Sequence, residues 1–303
     1  MITTKSVLFK IVISFLIIAL TTLVTLLLGE AIFPNSANAV GLLLKDGVKL
    51  TPQIQSLLLQ MKLSQGVQTV GIFLIPAVVV LFVFYRKSGV FLPLTSKKGG
   101  YDVLYVLFLI IFSNTFLAVV AQYSQMLPWP KEFISGAEHN ETLTKLLLMG
   151  AGYGDLALNL LIVAVLPAFC EEFFFRGFLQ RVLMKWIKDA HLCILIAAVV
   201  FSAFHFDAVN FLPRFLLGAM LGYLFYWTGS LWLPIVAHFL NNAQFVVGMF
   251  VINKLKGSLG MGDIDASLSV SPLNLIVSLI LIGLLLLSIY RRYMSVKDYR
   301  LLE

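Results

Sequence analysis

Apolar runs of seventeen to twenty-three residues recur along this 303-residue chain, and they constrain its fold more than any other feature. They fall at about 11–29, 66–85, 101–122, 154–176, 190–206, 211–228, 231–252 and 272–290. As helices rising 1.5 Å per residue, each matches the ~30 Å hydrocarbon core of a bilayer. In that core the backbone must satisfy its own hydrogen bonds, which leaves helices or a closed barrel. A barrel would show short alternating segments instead. The sequence therefore predicts an all-α fold, a polytopic transmembrane helical bundle of about eight spans. One integral membrane domain would cover 1–303, with its motif-bearing core at about 155–250. A soluble globule is excluded by composition, since 60% of residues are hydrophobic and 12% are charged, against roughly 45–50% and 25% in soluble domains.

The basic residues set an expected orientation. With the N-terminus in the cytoplasm, the inside segments hold Lys5, Lys10, Arg86, Lys87, Lys97, Lys98, Arg181, Lys185, Lys188, Arg291, Arg292, Lys297 and Arg300, thirteen in all. The outside segments hold eight: Lys45, Lys49, Lys62, Lys131, Lys145, Arg214, Lys254 and Lys256. Cytoplasmic loops collect Lys and Arg, so both termini are expected inside, as in a multi-pass protein of a bacterial inner (cell) membrane. The net charge of +7 then meets anionic lipid. No soluble basic domain is present to bind nucleic acid. The first run is read as a retained helix. It exceeds a signal-peptide core in length, although Ser36-Ala37-Asn38-Ala39 resembles a cleavage site.

Two segments outside the spans are amphipathic. Residues 51–61 would begin a helix with Thr51 as cap and Pro52 in the first turn. Residues 177–188 mix Phe178, Leu179, Leu183 and Trp186 with Arg181, Lys185 and Lys188. Both are expected to lie at the lipid interface. Cys170 and Cys193 form neither a disulfide framework nor a CxxC metal site.

Ionisable groups inside a membrane are costly and mark function by default. Here they are Glu171, Glu172, Arg176, His205 and His238, with the amides Asn159, Asn241, Asn242 and Gln244. Glu172 and Arg176 are four apart, share a helix face and can pair. Glu171, about 100° round the helix, has no intrahelical partner. A carboxylate without a fixed counter-charge can accept a proton, as a general base must. Phe201 and His205 share a face on the fifth span, as do His238 and Asn242 on the seventh. In a simple hairpin Glu171 and His205, each 17 residues from position 188, sit at equal height. His238, about eight residues past the Gly229-Ser230 turn, does not reach that height unless the spans are offset or 177–188 protrudes or lies flat.

Glu171-Glu172-xxx-Arg176, Phe201-xxx-His205 and His238-xxx-Asn242, in that order, resemble the three motifs of the CAAX-protease and bacteriocin-processing (CPBP, or Abi) family of intramembrane endopeptidases. This is the family of the eukaryotic Ras-converting CAAX prenyl endopeptidase. The resemblance covers roughly 155–250. It implies hydrolysis of a peptide bond in a membrane-associated protein or peptide, prenylated or CAAX-like. It makes Glu171 the acid/base that activates water, with His205 positioning or polarising that water. His238 and Asn242 would stabilise the oxyanion, and Glu172 and Arg176 would support the site. No cofactor is favoured, because HExxH is absent. The alternative is a divalent metal such as zinc on Glu171, His205 and His238. Two other functions fit the same residues. One is a proton-coupled transporter or channel using the Glu/His cluster as a relay, with Pro167, Pro213 and Pro234 breaking helices. The other is a scaffold without catalysis. The oligomeric state is not legible.

Overall fold

The computed structural model describes residues 4–34, 51–85, 101–150, 152–259 and 272–294. The 86–100 loop, the Ser36-Ala37-Asn38-Ala39 segment, and Lys45, Lys49, Lys97, Lys98, Lys297 and Arg300 therefore lie outside the described residues. Nine helical rods make up what is described, and no strand is among them. We label them α1 (Thr4–Ile32), α2 (52–85), α3 (Tyr101–Gln125), α4 (Lys131–Leu147), α5 (153–186), α6 (Ala190–Ala203), α7 (Phe211–Thr228), α8 (Trp232–Leu259) and α9 (Pro272–Met294). Six of them are long and apolar enough to cross a bilayer: Phe9–Ile32, Pro52–Phe84, Tyr101–Gln125, Tyr153–Trp186, Trp232–Leu255 and Pro272–Tyr293. The other two expected spans are the 14-residue α6 and the 18-residue α7, which pair closely with each other. The chain is an integral, multi-pass membrane protein.

Helix α5 is the axis of the bundle, with α2, α6, α7 and α8 packed round it. Helices α3 and α9 pair outside α7 and α8, and α1 lies against α2. Burial follows that order. In α5 44% of the most apolar window is buried inside the protein, against 6% in α1. Lipid is as apolar as leucine, so α1 can turn residues such as Phe15 and Leu20 outward, while polar groups must face inward.

Two expected interfacial segments are instead parts of long rods. Thr51 caps α2 through the Ile54 N–H, and Pro52 fills the first turn. The helix then runs on without a break into the span. Leu57, Leu58 and Met61 are buried against Leu143 and Leu146 of α4, not against lipid. Helix α4 occupies what reads in sequence as a loop, and Glu132 in its first turn and Lys145 in its last complement its dipole. Lys62 of α2 donates to Met149 O just past its end. Residues 177–186 likewise continue α5, which at 34 residues is about 50 Å long and outruns the hydrocarbon core. Phe178 and Val182 belong to its buried aromatic core with Phe174, Phe175 and Phe201.

The prolines break no helix. Pro213 and Pro234 sit in the first turns of α7 and α8, where a missing N–H costs little. Pro167 follows a π-helical segment, Leu160–Val165, and the helix runs on through it.

Candidate active site

Glu171 and Glu172 end an α-helical stretch of α5, and a second π segment, Phe173–Gln180, begins immediately after them. π-helical turns inside α-helices occur often at functional sites. Here the turn leaves the expected pair intact. Arg176 Nη1 lies 2.6 Å from Glu172 Oε1, with both side chains sealed from solvent. Arg176 Nη2 donates to Gly218 O of α7 at 2.7 Å, and its guanidinium stacks 4.9 Å from the Phe201 ring. One turn further, Gln180 donates to Gly222 O at 3.1 Å. These contacts need α7 close. A Cβ at Gly218 would stand 3.0 Å from the Phe201 ring and 3.3 Å from Ala198 Cα.

His238 of α8 comes to the same carboxylate, with Nδ1 2.8 Å from Glu172 Oε1. It reaches that height because the spans are offset. Leu231 and Ile235, on either side of the start of α8, pack with Phe225 on Phe173, so the α7–α8 turn lies beside α5 and not beyond its end. Phe201 gathers the remaining rings, with His205 at 5.2 Å and His238 at 5.8 Å between centroids. His205 sits just past the end of α6, and its Nδ1 is 3.0 Å from Phe201 O. A carbonyl only accepts, so Nδ1 carries the proton and the neutral ring leaves Nε2 as an acceptor.

Glu171 is 8% exposed, and its Oε2 is buried with no hydrogen-bond partner among the described residues. No hydrogen bond joins it to His205 or His238 there, although His238, Arg176 and Arg214 are all close enough for their charges to act on it. Asn242 faces the same helix one turn beyond His238. Its Nδ2 donates to Val163 O at 3.2 Å, and its Oδ1 accepts from Asn241. Val163 O is the carbonyl that Pro167 cannot bond, so Asn242 satisfies the acceptor that the proline leaves free. One N–H of Asn242 remains for other work. Asn159 is buried with its Oδ1 unbonded among the described residues, and Gln244 bonds Asn114 away from the motifs.

Sequence reasoning counted Arg214 among loop cations and overlooked Asp207. The chain turns sharply after His205 at Phe206, whose φ of 49° is the single positive value at a described non-glycine residue. Asp207 then accepts from Asn210 N at 3.1 Å and Asn210 Nδ2 at 2.8 Å, and pairs with Arg214 Nη1 at 2.9 Å. Burial disfavours its ionised form, but the Asn210 hydrogen bonds and the Arg214 charge outweigh that and hold its carboxyl below the usual carboxylate range. A readable signal existed: Arg214 interrupts an apolar span four residues before Gly218.

Among the described residues no three His, Cys, Asp or Glu side chains are arranged to hold a metal ion. Glu171, His205 and His238 are not gathered as such a set there, and the Nδ1 of His238 is turned to Glu172. Both cysteines are buried free thiols.

Residues 153–244, from the start of α5 to just beyond Asn242, match the family described as Rce1-like, type II CAAX prenyl endopeptidase. Over 94 residues, 29% of this chain, the sequence is 34% identical to Uncharacterized protein YpbD of Bacillus subtilis (strain 168). The aligned part is 43% of that protein, so this chain spans less than half the length of the relative it matches. No solved structure matches the chain.

Proposed function

We propose that this chain, whose residues 153–244 match the Rce1-like family of type II CAAX prenyl endopeptidases, is an intramembrane endopeptidase. Its substrate is a membrane-associated protein or peptide, prenylated or CAAX-like, and Glu171 activates the water that cleaves it. The observation that supports this reading is the gathering of all three motifs round Phe201, with a Glu171 oxygen beside them that has no partner among the described residues.

In this reading one water hydrogen points to His205 Nε2 and the other to Glu171 Oε2. Glu171 takes its proton as the water oxygen attacks the scissile carbonyl carbon, which gives a tetrahedral oxyanion. The free N–H of Asn242 donates to that oxyanion. His238 Nδ1–H is committed to Glu172, so Nε2 donates only from the doubly protonated ring, for which Glu172 is the counter-charge. Glu171 then passes its proton to the departing amine as the C–N bond breaks. No metal takes part. The protein sits in a bacterial inner membrane with both termini cytoplasmic, a topology that reporters fused near each terminus check.

Purified protein mixed with a membrane peptide in detergent tests the reading. We expect cleavage products by mass spectrometry, and activity that survives a chelator able to enter the membrane. Activity lost on stripping and restored by metal would replace the metal-free route. No cleavage, together with proton flux in liposomes that depends on Glu171, would favour a relay instead.

A further inference from the structure

Helix α7 presents one face to α5 at a regular interval. Gly222 O accepts from Gln180, and Gly218 O, four residues earlier, accepts from Arg176, itself four residues before Gln180. One more turn in the same direction brings Arg214 level with Glu172, on the same face. Its charge acts on both Glu171 and His205. Ser202 Oγ donates to Phe211 O at 2.6 Å and so fixes the start of α7 against the end of α6, next to His205.

The ion pair with Asp207 does not explain why an arginine is there. The 207–210 turn is already closed by Asn210, which gives Asp207 two hydrogen bonds. Ser124 Oγ, donating to Val209 O at 2.5 Å, ties the same turn to α3. The turn would stand without Arg214, whereas Arg214 would not be aimed without Asp207. A guanidinium offers five N–H donors, and a carboxylate at one end leaves the others for a second acceptor. The Arg214 side chain is 30% exposed, against 1% for Arg176, with its Nη1 buried on Asp207.

We propose that Arg214, aimed by Asp207, is a specificity-determining residue that binds the free C-terminal carboxylate of a peptide cleaved near its end. This rests on the endopeptidase reading above. A carboxylate matches the remaining fork of donors best, in a bidentate charge-assisted pair, and a side-chain carboxylate is costly to bring into a membrane site. Every peptide, by contrast, carries one at its C-terminus. One to three residues beyond the scissile bond, at ~3.3–3.6 Å each, put that carboxylate within about 10 Å of the reacting carbon. Arg214 stands at the rim of the site at the level of the two glutamates.

Two membrane peptides that differ only in ending as a carboxylate or a carboxamide decide the matter. Wild-type protein should prefer the carboxylate by about 10–100-fold in kcat/KM, mostly through KM, as a charge-assisted contact of this kind provides. Arg214→Gln should bring the ratio close to one by its loss on the carboxylate peptide. Arg214→Lys should retain part of the preference, and Asp207→Asn should weaken it. An Arg214→Gln protein that keeps the preference, or a wild type that has none, overturns the inference. Should Arg214→Gln not fold, product-like peptides competing against wild type give the same answer, and equal inhibition by carboxylate and amide forms overturns it. Wild-type protein that cleaves neither peptide overturns the endopeptidase reading instead, and this inference falls with it.

Discussion

Two buried carboxylates in this protein have nearly the same partners and different surroundings. Glu172 meets Arg176 at 2.6 Å and the His238 ring nitrogen at 2.8 Å. Asp102, at the start of α3, meets Arg292 at 3.1 Å and the Tyr293 hydroxyl at 2.5 Å, both from α9. Each is a carboxylate, an arginine and a ring donor. In the first cluster the arginine is 1% exposed and comes from the carboxylate's own helix. In the second it is 32% exposed and joins two distant helices. A buried Arg–carboxylate pair is therefore not in itself a mark of chemistry. What sets the α5 cluster apart is the extra carboxylate, Glu171, next to the paired one and outside the contacts that Arg176 and His238 make with Glu172 Oε1.

Removing that difference should have the largest effect. Glu171→Gln keeps shape and loses the base, so folded protein should lose roughly 10²–10⁴-fold in kcat on a membrane peptide. Asp102→Asn should leave kcat unchanged and lower the melting temperature. Near-normal turnover in Glu171→Gln would erase the distinction between the clusters. Stability should separate them next. Arg176→Ala strands a sealed carboxylate and should cost on the order of 3–5 kcal/mol. Arg292→Ala should cost less, because water can take the place of an arginine side chain that is 32% exposed more readily than one that is 1% exposed. Denaturant or thermal unfolding in one detergent measures both, and equal losses would mean that the α5 pair is solvated. The neutral donors come last. His238→Ala and Asn242→Ala should each lower kcat about 10²–10³-fold and add little to Glu171→Gln, because groups serving one step are not additive. Tyr293→Phe should cost about 1 kcal/mol of stability and no activity. A kcat loss in Tyr293→Phe would show that the clusters are coupled.

The two clusters also differ in how far they can be read from the sequence. Glu172 and Arg176 share a helix four residues apart, so periodicity alone pairs them. Asp102 and Tyr293 are 191 residues apart, and no local pattern joins them. The same limit hides the contact of His238 with Glu172 across 66 residues, and that of Asn242 with the carbonyl freed by Pro167 across 79. The amphipathic stretches at 51–61 and 177–188 point to a wet boundary. Whether that boundary is lipid headgroup or another helix depends on what packs there, which for the first is α4 and for the second α6 and α7.

The sequence by itself determined that this chain lives in a bilayer, that its spans are helices, and that three spaced motifs place glutamates, histidines and an arginine in that apolar setting. Those features follow from hydrophobic length and from a helical period of 3.6 residues, both local properties. Only the tertiary structure decided which glutamate each partner meets. Helix offset and rotation set that choice, and they come from packing: glycines at 218 and 222 that let α7 approach α5, and a turn seated on Phe173 that raises His238 to Glu172. A rotation of about 100° separates Glu171 from Glu172. It gave the arginine and a histidine to one, and left the other outside those contacts.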